Sequence, residues 1–174
     1  MGNDSSKIDT RAKKHFGYIY VKTAMPFYIA GDLVEGKVYI RAEETIPVKK
    51  LELNVKGKEK ISYWYDHTVY EEDGDGNRRS RTERRKYKAE RTIINKSIHL
   101  SLPEELPPGD YIVPFQIQLP NDLPSSIMWS RKDHYDKPKA KIKYEIEAEL
   151  DISGYKDMKY EQMLIIHEKP RPFV

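Results

Sequence analysis

The feature that most constrains this chain is a strict alternation of apolar and charged residues near its C-terminal end. Over residues 141–152 every second side chain is apolar, and the positions between them are Lys, Glu or Asp. The apolar set is Ile142, Tyr144, Ile146, Ala148, Leu150 and Ile152. A period of two places successive side chains on opposite faces of a strand. The segment therefore predicts a β-strand with one face in a core and one in water.

Shorter alternating stretches recur along the whole chain, and none has helical periodicity. They predict further strands over 18–22, 27–29, 33–41, 49–65, 92–102, 111–119 and 158–167. The thirteen tyrosines fit this pattern, because aromatic side chains suit a pleated surface. About eight strands at roughly regular spacing predict an all-β fold, an immunoglobulin-like antiparallel sandwich of two sheets.

Three residues inside the predicted strands carry a more specific expectation. Pro114 lacks the backbone N–H that a ladder needs, so its strand should lie at a sheet edge or contain a bulge. Gly36 predicts a bulge, and Gly57 predicts a bend in a long strand. Glycine within a strand often marks such irregularities.

Two segments interrupt the alternation because they are charged. Residues 66–91 pass from an acidic run through a turn at 73–77 into a strongly basic run. We expect an exposed hairpin tip or loop here, with opposite charges attracting each other across the turn. Residues 128–139 are predicted to form a second charged loop.

The composition excludes several classes of protein. The 174 residues are enough for one domain, and they contain no cysteine, so disulfides and thiolate sites are excluded. No apolar run is long enough to span a membrane, and no secretory signal is visible. A net charge of +3 permits an acidic partner without arguing for one. We expect a cytoplasmic protein.

No pattern in the sequence predicts catalysis, a cofactor or a metal site. The five histidines never occur at metal-ligand spacing. Residues 73–77 imitate the start of an EF-hand loop, but Arg78 and Arg84 stand where that loop needs glycine and a bidentate glutamate. The carboxylates along 141–151 alternate with lysines and are interpreted as a solvated face. We therefore predict a protein that is not an enzyme.

The N-terminal residues 1–15 are polar and are predicted to form a flexible lead-in. Gly2, followed by Ser6, fits the acceptor pattern for N-myristoylation. One myristoyl chain binds a membrane only marginally, with a constant on the order of 10⁴ M⁻¹. Lys7, Lys13 and Lys14 would have to assist.

Four segments, in order, resemble the N-terminal domain of the arrestin family. Residues 28–38 resemble its Y-x-x-G-D-x-V-x-G-x-V strand pair, and 51–57 its following strand. Residues 106–127 contain P-G-x-Y-x-x-P-F and then L-P-x-x-L-P-S-S, and 142–150 resemble a later I-x-Y-x-V-x-A-x-L strand. The resemblance covers about residues 18–170 and is closest to the arrestin-domain-containing branch.

The resemblance implies a domain organisation. A sandwich over 16–170 would be followed at 171–174 by the start of an interdomain linker or by the C-terminal end, since arrestins normally contain a second sandwich. The Pro-Pro-x-Tyr motif of ubiquitin-ligase adaptors is absent, because the sequence 107–111 has one residue too many. A ligase-adaptor role is unsupported.

The resemblance also implies a function. Arrestins are scaffolds that hold cytoplasmic, often phosphorylated, tails of membrane proteins in trafficking or signalling, at the membrane or on endosomes. Residues 66–86 look like the family's partner-binding loop, and Lys22 falls at its phosphate-sensing position. The predicted partner-binding residues are Lys22, Arg78, Arg79, Arg81, Arg84, Arg85 and Lys86.

Two other functions stay open on the sequence. A subunit of a membrane-sorting coat can share this fold while binding a large coat partner. A nucleic-acid-binding β-domain could use the basic run 78–91, although that run has one aromatic residue, Tyr87, and no stacking platform.

Overall fold

The computed structural model describes residues 11–170, and within that range it contains strands, turns and loops but no helix. The eleven strands are β1 (Gly17–Thr23), β2 (Tyr28–Ile29), β3 (Leu33–Ala42), β4 (Ile46–Glu72), β5 (Arg78–Leu100), β6 (Glu105–Leu106), β7 (Gly109–Gln118), β8 (Ile127–Ser130), β9 (Lys139–Ile152), β10 (Met158–Leu164) and β11 (Ile166–His167). The all-β prediction is confirmed.

The strands form two main sheets. The smaller sheet has the order β1-β3-β7, and the larger has the order β10-β9-β4-β5, with β8 added to β9 and β6 added to β4. All of these pairings are antiparallel. A short parallel pair, β2 with β11, accompanies them. This is the two-sheet sandwich that the alternation predicts.

The core lies between the inner faces of the two sheets. Val34 and Val38 of β3 are fully buried, as are Leu51 and Leu53 of β4. Burying such a side chain contributes about 1.5–3 kcal/mol. On β9 Tyr144 is also fully buried, and its hydroxyl donates to the carbonyl oxygen of Pro124 at 2.7 Å. Burial raises the pKa of Tyr144 to about 12.

Beyond Gly57, strands β4 and β5 continue as a long antiparallel ribbon, which comprises residues 58–92; β9 pairs with β4 as far as Ser62, and the ribbon is two-stranded from there on. Its register is unbroken from the pair Lys58–Thr92 to the pair Glu72–Arg78. The hairpin expected over 66–91 is present, but the prediction that one strand ends at 65 and the next begins at 92 is wrong. The segment is strand up to Glu72 and from Arg78, since cross-strand aromatic and ion pairs stabilise it.

Of the expectations for Pro114, Gly57 and Gly36, the structure confirms two and contradicts one. Pro114 lies on β7, an edge strand, as expected. The β4–β5 register shifts between Gly57 and Lys58, so the irregularity at Gly57 is confirmed. The prediction of a bulge at Gly36 is wrong, because the pairing registers of β3 with β1 and with β7 are continuous there. Glycine is needed for space: a Cβ at residue 36 would lie 2.5 Å from the Phe115 ring.

Two expectations about charged segments also change. The loop predicted over 128–139 is shorter, because Ile127–Ser130 pairs with the first residues of β9. The outer face of β9 is not simply solvated, because Glu147 and Asp151 are only 7% and 8% exposed. Burial opposes ionisation of Glu147, yet the hydrogen bond and charge of Lys56, 2.8 Å away, hold its pKa below the usual value.

The family-like motifs serve the architecture. Asp32 accepts a hydrogen bond from the Ile29 N–H at 2.7 Å, in a turn where Gly31 has a φ of 91°. The hydroxyl of Ser125 accepts a hydrogen bond from the backbone N–H of Glu168 at 2.8 Å, and the hydroxyl of Ser126 accepts one from that of Ile166 at 3.0 Å. Asp32 thus closes the turn before β3, and the two serines tie the segment before β8 to the chain around β11.

Residues 11–15 run along the sandwich. Ala12 forms a bridge with Tyr155, and Lys14 pairs with Glu44 at 2.6 Å. The Lys14 ammonium also lies 4.9 Å from the centre of the Phe16 ring. The segments 1–10 and 171–174, which include the predicted linker, lie outside the described residues.

Candidate partner-binding surfaces

The free edge of β1 is the first candidate surface. β1 ends the smaller sheet and pairs only with β3 among the described strands. Strand β10 lies beside this edge, and side chains join the two: Gln162 donates to the Thr23 hydroxyl at 2.9 Å. An extended peptide that displaced this hydrogen bond could add to β1 as a further strand.

Lys22 stands beside this edge with a second lysine. It faces Lys37 across the β1–β3 ladder, and both side chains point to the outer face of the sheet. Within residues 11–170 neither lysine has a carboxylate within ion-pair distance. Next to them the rings of Tyr20 and Tyr39 stack at 4.6 Å. Two uncompensated like charges in direct register favour an anionic partner.

An open depression of about 860 Å³ adjoins the two lysines. Its lining includes Lys22, Lys37 and Tyr39 together with Pro114 and Gln116 of the edge strand β7. Lys22 was predicted from the sequence as a binding residue, whereas Lys37 was not. The alternation of Lys37, Tyr39 and Arg41 on one face of β3 was the available signal.

The basic residues of the ribbon form the second candidate surface, but most already have partners. Four predicted residues pair with nearby carboxylates: Arg78 with Glu72, Arg79 with Asp73, Arg81 with Glu71 and Glu83, and Arg85 with Glu83. Their N–O distances range from 2.9 to 4.0 Å. The pairs with Glu71, Glu72 and Asp73 confirm the expected attraction across the hairpin, whereas the pairs with Glu83 lie within β5. All of them leave less free charge for a ligand.

Arg84 and Lys86 belong to an aromatic cluster. The Arg84 guanidinium lies 5.4 Å from the Trp64 ring and 4.5 Å from the Tyr135 ring, and it donates to the Tyr135 carbonyl. The Lys86 ammonium lies 5.5 Å from the same Trp64 ring. The Tyr135 hydroxyl donates to Asp66 at 3.0 Å, and that hydrogen bond raises the pKa of Tyr135. Sequence reasoning missed this cluster, because nothing in the sequence pairs 135 with 66.

The turn at the ribbon tip is held by its own carboxylate. Asp73 accepts hydrogen bonds from the backbone N–H groups of Asn77 at 2.8 Å and Asp75 at 3.2 Å. Gly76 has a φ of 79°, which favours glycine in such a turn. The first acidic position of the EF-hand imitation therefore acts as a turn residue.

The fold does not bring Lys22 and the ribbon residues together. Thr23, the residue after Lys22, contacts Gln162 of β10. Gln162 is in register with Ile146 of β9, which is in register with Val55 of β4, so Lys22 lies near the level of Val55. Arg84 faces Asp66, eleven residues farther along β4. At ~3.3 Å per residue this separation is about 35 Å along the strand. The predicted residues therefore form two separate surfaces.

The remaining sequence features are the histidines, the acyl-acceptor glycine and the question of a membrane span. His15, His99 and His134 each lie 3.6–3.9 Å from a single carboxylate. In the described range no group of three or more His, Asp or Glu residues could hold a metal ion. Gly2 lies outside the described residues. Among the residues that are described, no helix has the length and apolar character needed to cross a membrane.

Comparisons with known proteins agree with the motifs. The family model described as the arrestin (or S-antigen) N-terminal domain matches residues 18–169. Arrestin domain-containing protein A of Dictyostelium discoideum is 29% identical over 153 residues, which are 87% of this chain and 26% of that protein. The chain thus spans about a quarter of the length of this curated relative.

A solved structure is also similar. The sporulation control protein Spo0M of Bacillus subtilis superposes with a TM-score of 0.48 and 16% identity. The match covers 88% of this chain and 50% of that one. A similarity of this size supports no statement about function.

Proposed function

Because the chain belongs to the arrestin family through that family's N-terminal domain, we propose that it holds phosphorylated or acidic cytoplasmic tails of membrane proteins at the β1 edge. Membership supports an adaptor role in general, and the family is not one of enzymes. The finer assignment, to tails in trafficking or signalling and to this edge, is our proposal. It also implies a cytoplasmic location beside membranes or endosomes.

The observation that carries the proposal is the pair Lys22–Lys37 next to an edge of β1 that pairs with no other strand of the described range 11–170. A tail that adds to β1 gains backbone hydrogen bonds that depend little on its sequence. Phosphate groups on alternate residues of such a strand point to one face, where the two ammonium groups lie. Charge-assisted hydrogen bonds to phosphate then supply selectivity.

The ribbon is a weaker candidate for the same ligand. Arg78, Arg79, Arg81 and Arg85 would have to leave carboxylate partners before they bound phosphate. The same pairing argues against nucleic acid as the ligand of the run 78–91. In addition, Trp64 is already covered by Arg84 and Lys86, so it is not a free stacking platform.

The test is a binding titration with a labelled peptide that carries two phosphoserines separated by one residue. We expect the phosphorylated peptide to bind more tightly than its unphosphorylated form. The double variant Lys22→Gln/Lys37→Gln should weaken binding of the phosphopeptide by on the order of tenfold to a hundredfold, since two charge-assisted contacts are lost. Strand addition also predicts that N-methylation of alternate peptide amides weakens binding.

A control variant separates the site from the net charge. Lys13→Gln/Lys132→Gln removes the same charge from exposed lysines elsewhere and should bind the peptide like the unmodified chain. Equal losses in both double variants would contradict the site. A peptide that bound equally well with and without phosphate would contradict the proposed ligand.

A second part of the proposal concerns Gly2, which would be N-myristoylated and assist membrane attachment. The support is the acceptor pattern and the basic residues that follow it. Co-expression with an N-myristoyltransferase should raise the intact mass by one myristoyl group in the unmodified chain and not in Gly2→Ala. An unchanged mass would contradict this assignment.

A further inference from the structure

A dense group of lysines covers the outer face of the larger sheet where the ribbon begins. We call it the lysine face and define it as Lys58, Lys60, Lys88, Lys139, Lys141 and Lys143. These residues come from three neighbouring strands, β5, β4 and β9. They lie on the opposite side of the sheet from Leu51, Leu53 and Val55, which line the core. The face is therefore open to solvent.

Like charges oppose each other directly within the lysine face. Lys58 is in register with Lys143, and Lys60 is in register with Lys141. Directly opposed side chains on one face have Cβ atoms about 4.5–5.5 Å apart, where like charges destabilise the sheet. An arrangement with this cost suggests that the charge is used for binding.

The compensation by carboxylates is incomplete. Glu90 bridges Lys58 and Lys60 at 2.7 and 2.8 Å, and these hydrogen bonds lower the pKa of Glu90 to about 2. Lys143 pairs with Glu145. The remaining members have no carboxylate within ion-pair distance in the described part of the chain; they are Lys88, Lys139 and Lys141.

The shape of the lysine face indicates a broad partner. The lysines extend over about four residues along the strands and across three strands, a field of about 13 by 10 Å. Four of its lysines line a depression of about 310 Å³, and Lys56, Glu145 and Glu161 complete the lining of that depression. Met128 is 75% exposed and lies in register with Lys141. An apolar side chain that projects from a basic field is suited to a lipid surface.

We propose that the lysine face is a docking surface for the anionic headgroups of a membrane, with Met128 entering the headgroup layer. The charge of the face complements that of anionic lipids, each lysine near such a surface contributing about fivefold in affinity. This inference goes beyond tail binding, since it assigns another surface and another ligand, and it does not require the β1 edge to bind a peptide.

The test is co-sedimentation with phosphatidylcholine vesicles that contain phosphatidylinositol bisphosphate, with pure phosphatidylcholine vesicles as the neutral reference. The non-myristoylated chain should bind the anionic vesicles and release them as salt is added. The triple variant Lys88→Gln/Lys139→Gln/Lys141→Gln removes the lysines without carboxylate partners. It should weaken vesicle binding on the order of a hundredfold.

Two controls isolate the face from the net charge. Arg81→Gln/Arg85→Gln/Arg91→Gln removes the same charge from the opposite face of the same ribbon and should keep vesicle binding within about fivefold. The charge-conserving triple variant Lys88→Arg/Lys139→Arg/Lys141→Arg should bind like the unmodified chain. Circular dichroism and thermal unfolding of each variant establish that it is folded.

Several outcomes would overturn the proposal. One is no binding to anionic vesicles by the folded chain, and another is an equal loss in both neutralised triple variants. A third is binding to inositol hexakisphosphate or to single-stranded RNA through the same lysines without vesicle binding. Met128→Ser should weaken binding to vesicles and leave binding to soluble inositol hexakisphosphate unchanged; equal effects would contradict insertion into a headgroup layer.

Discussion

Gly57 occupies the position where the ribbon leaves the sandwich, and its lack of a side chain is required there. A Cβ at this residue would lie 2.5 Å from the Tyr144 ring and 2.7 Å from a methyl group of Ile94. Tyr144 is fully buried and cannot move without disturbing the core. Gly57→Ala should therefore lower the free energy of unfolding by about 1–2 kcal/mol, the overpacking cost less the gain in chain entropy.

Urea unfolding followed by circular dichroism measures this change, and Gly74→Ala is the matched control. Gly74 lies near the ribbon tip, where a Cβ would meet nothing within 4 Å. Its substitution should leave the free energy of unfolding unchanged within about 0.5 kcal/mol. A Gly57→Ala variant as stable as Gly74→Ala would show that the space at residue 57 is not limiting.

Individual site residues were only partly predictable from the sequence. Lys22 was found because its position resembles a phosphate-sensing lysine of the family, and its binding role remains a prediction. Lys37 was missed, because its importance comes from the β1–β3 register, which places it directly opposite Lys22. Register depends on the hydrophobic pattern of both strands and on their pairing, which one strand alone does not reveal.

At the scale of elements, alternation predicted the existence of most strands and missed the length of the ribbon. Side chains on the ribbon are exposed on both faces, so the burial signal that marks a core strand fades beyond Gly57. The strands persist because cross-strand contacts replace the core. Tyr63 packs on Tyr87 at 5.1 Å, and Arg91 pairs with Glu59 at 2.8 Å. Such pairs each contribute about 0.2–1 kcal/mol.

The order of strands explains why the lysine face was not predicted. Lys58 and Lys60 are far in sequence from Lys141 and Lys143, and the alternation at 141–151 indicated only a solvated face. They meet because β4 lies between β9 and β5 in the larger sheet. Sequence periodicity assigns a residue to a face of its strand, but it does not tell which strands are neighbours.

At the scale of the whole molecule, the two proposed surfaces lie on different sides of the sandwich. The β1 edge belongs to the smaller sheet, whereas the lysine face is on the outer side of the larger one. The sheets are about 10 Å apart, and the two sites are offset along the strands by about 15 Å. A tail that leaves a membrane beneath the lysine face would need about six to eight extended residues to reach the β1 edge.

This geometry gives a prediction that requires both surfaces to bind. A phosphopeptide tethered to an anionic vesicle should bind on the order of a hundredfold more tightly than the free peptide, because the second contact becomes intramolecular. The gain should disappear when fewer than about four residues separate the lipid anchor from the first phosphoserine, since the tether then cannot span the distance. Vesicle flotation across a series of tether lengths measures it. A gain that did not depend on tether length would contradict simultaneous binding at these two surfaces, whereas loss of the gain in Lys22→Gln/Lys37→Gln and in Lys88→Gln/Lys139→Gln/Lys141→Gln would assign it to both.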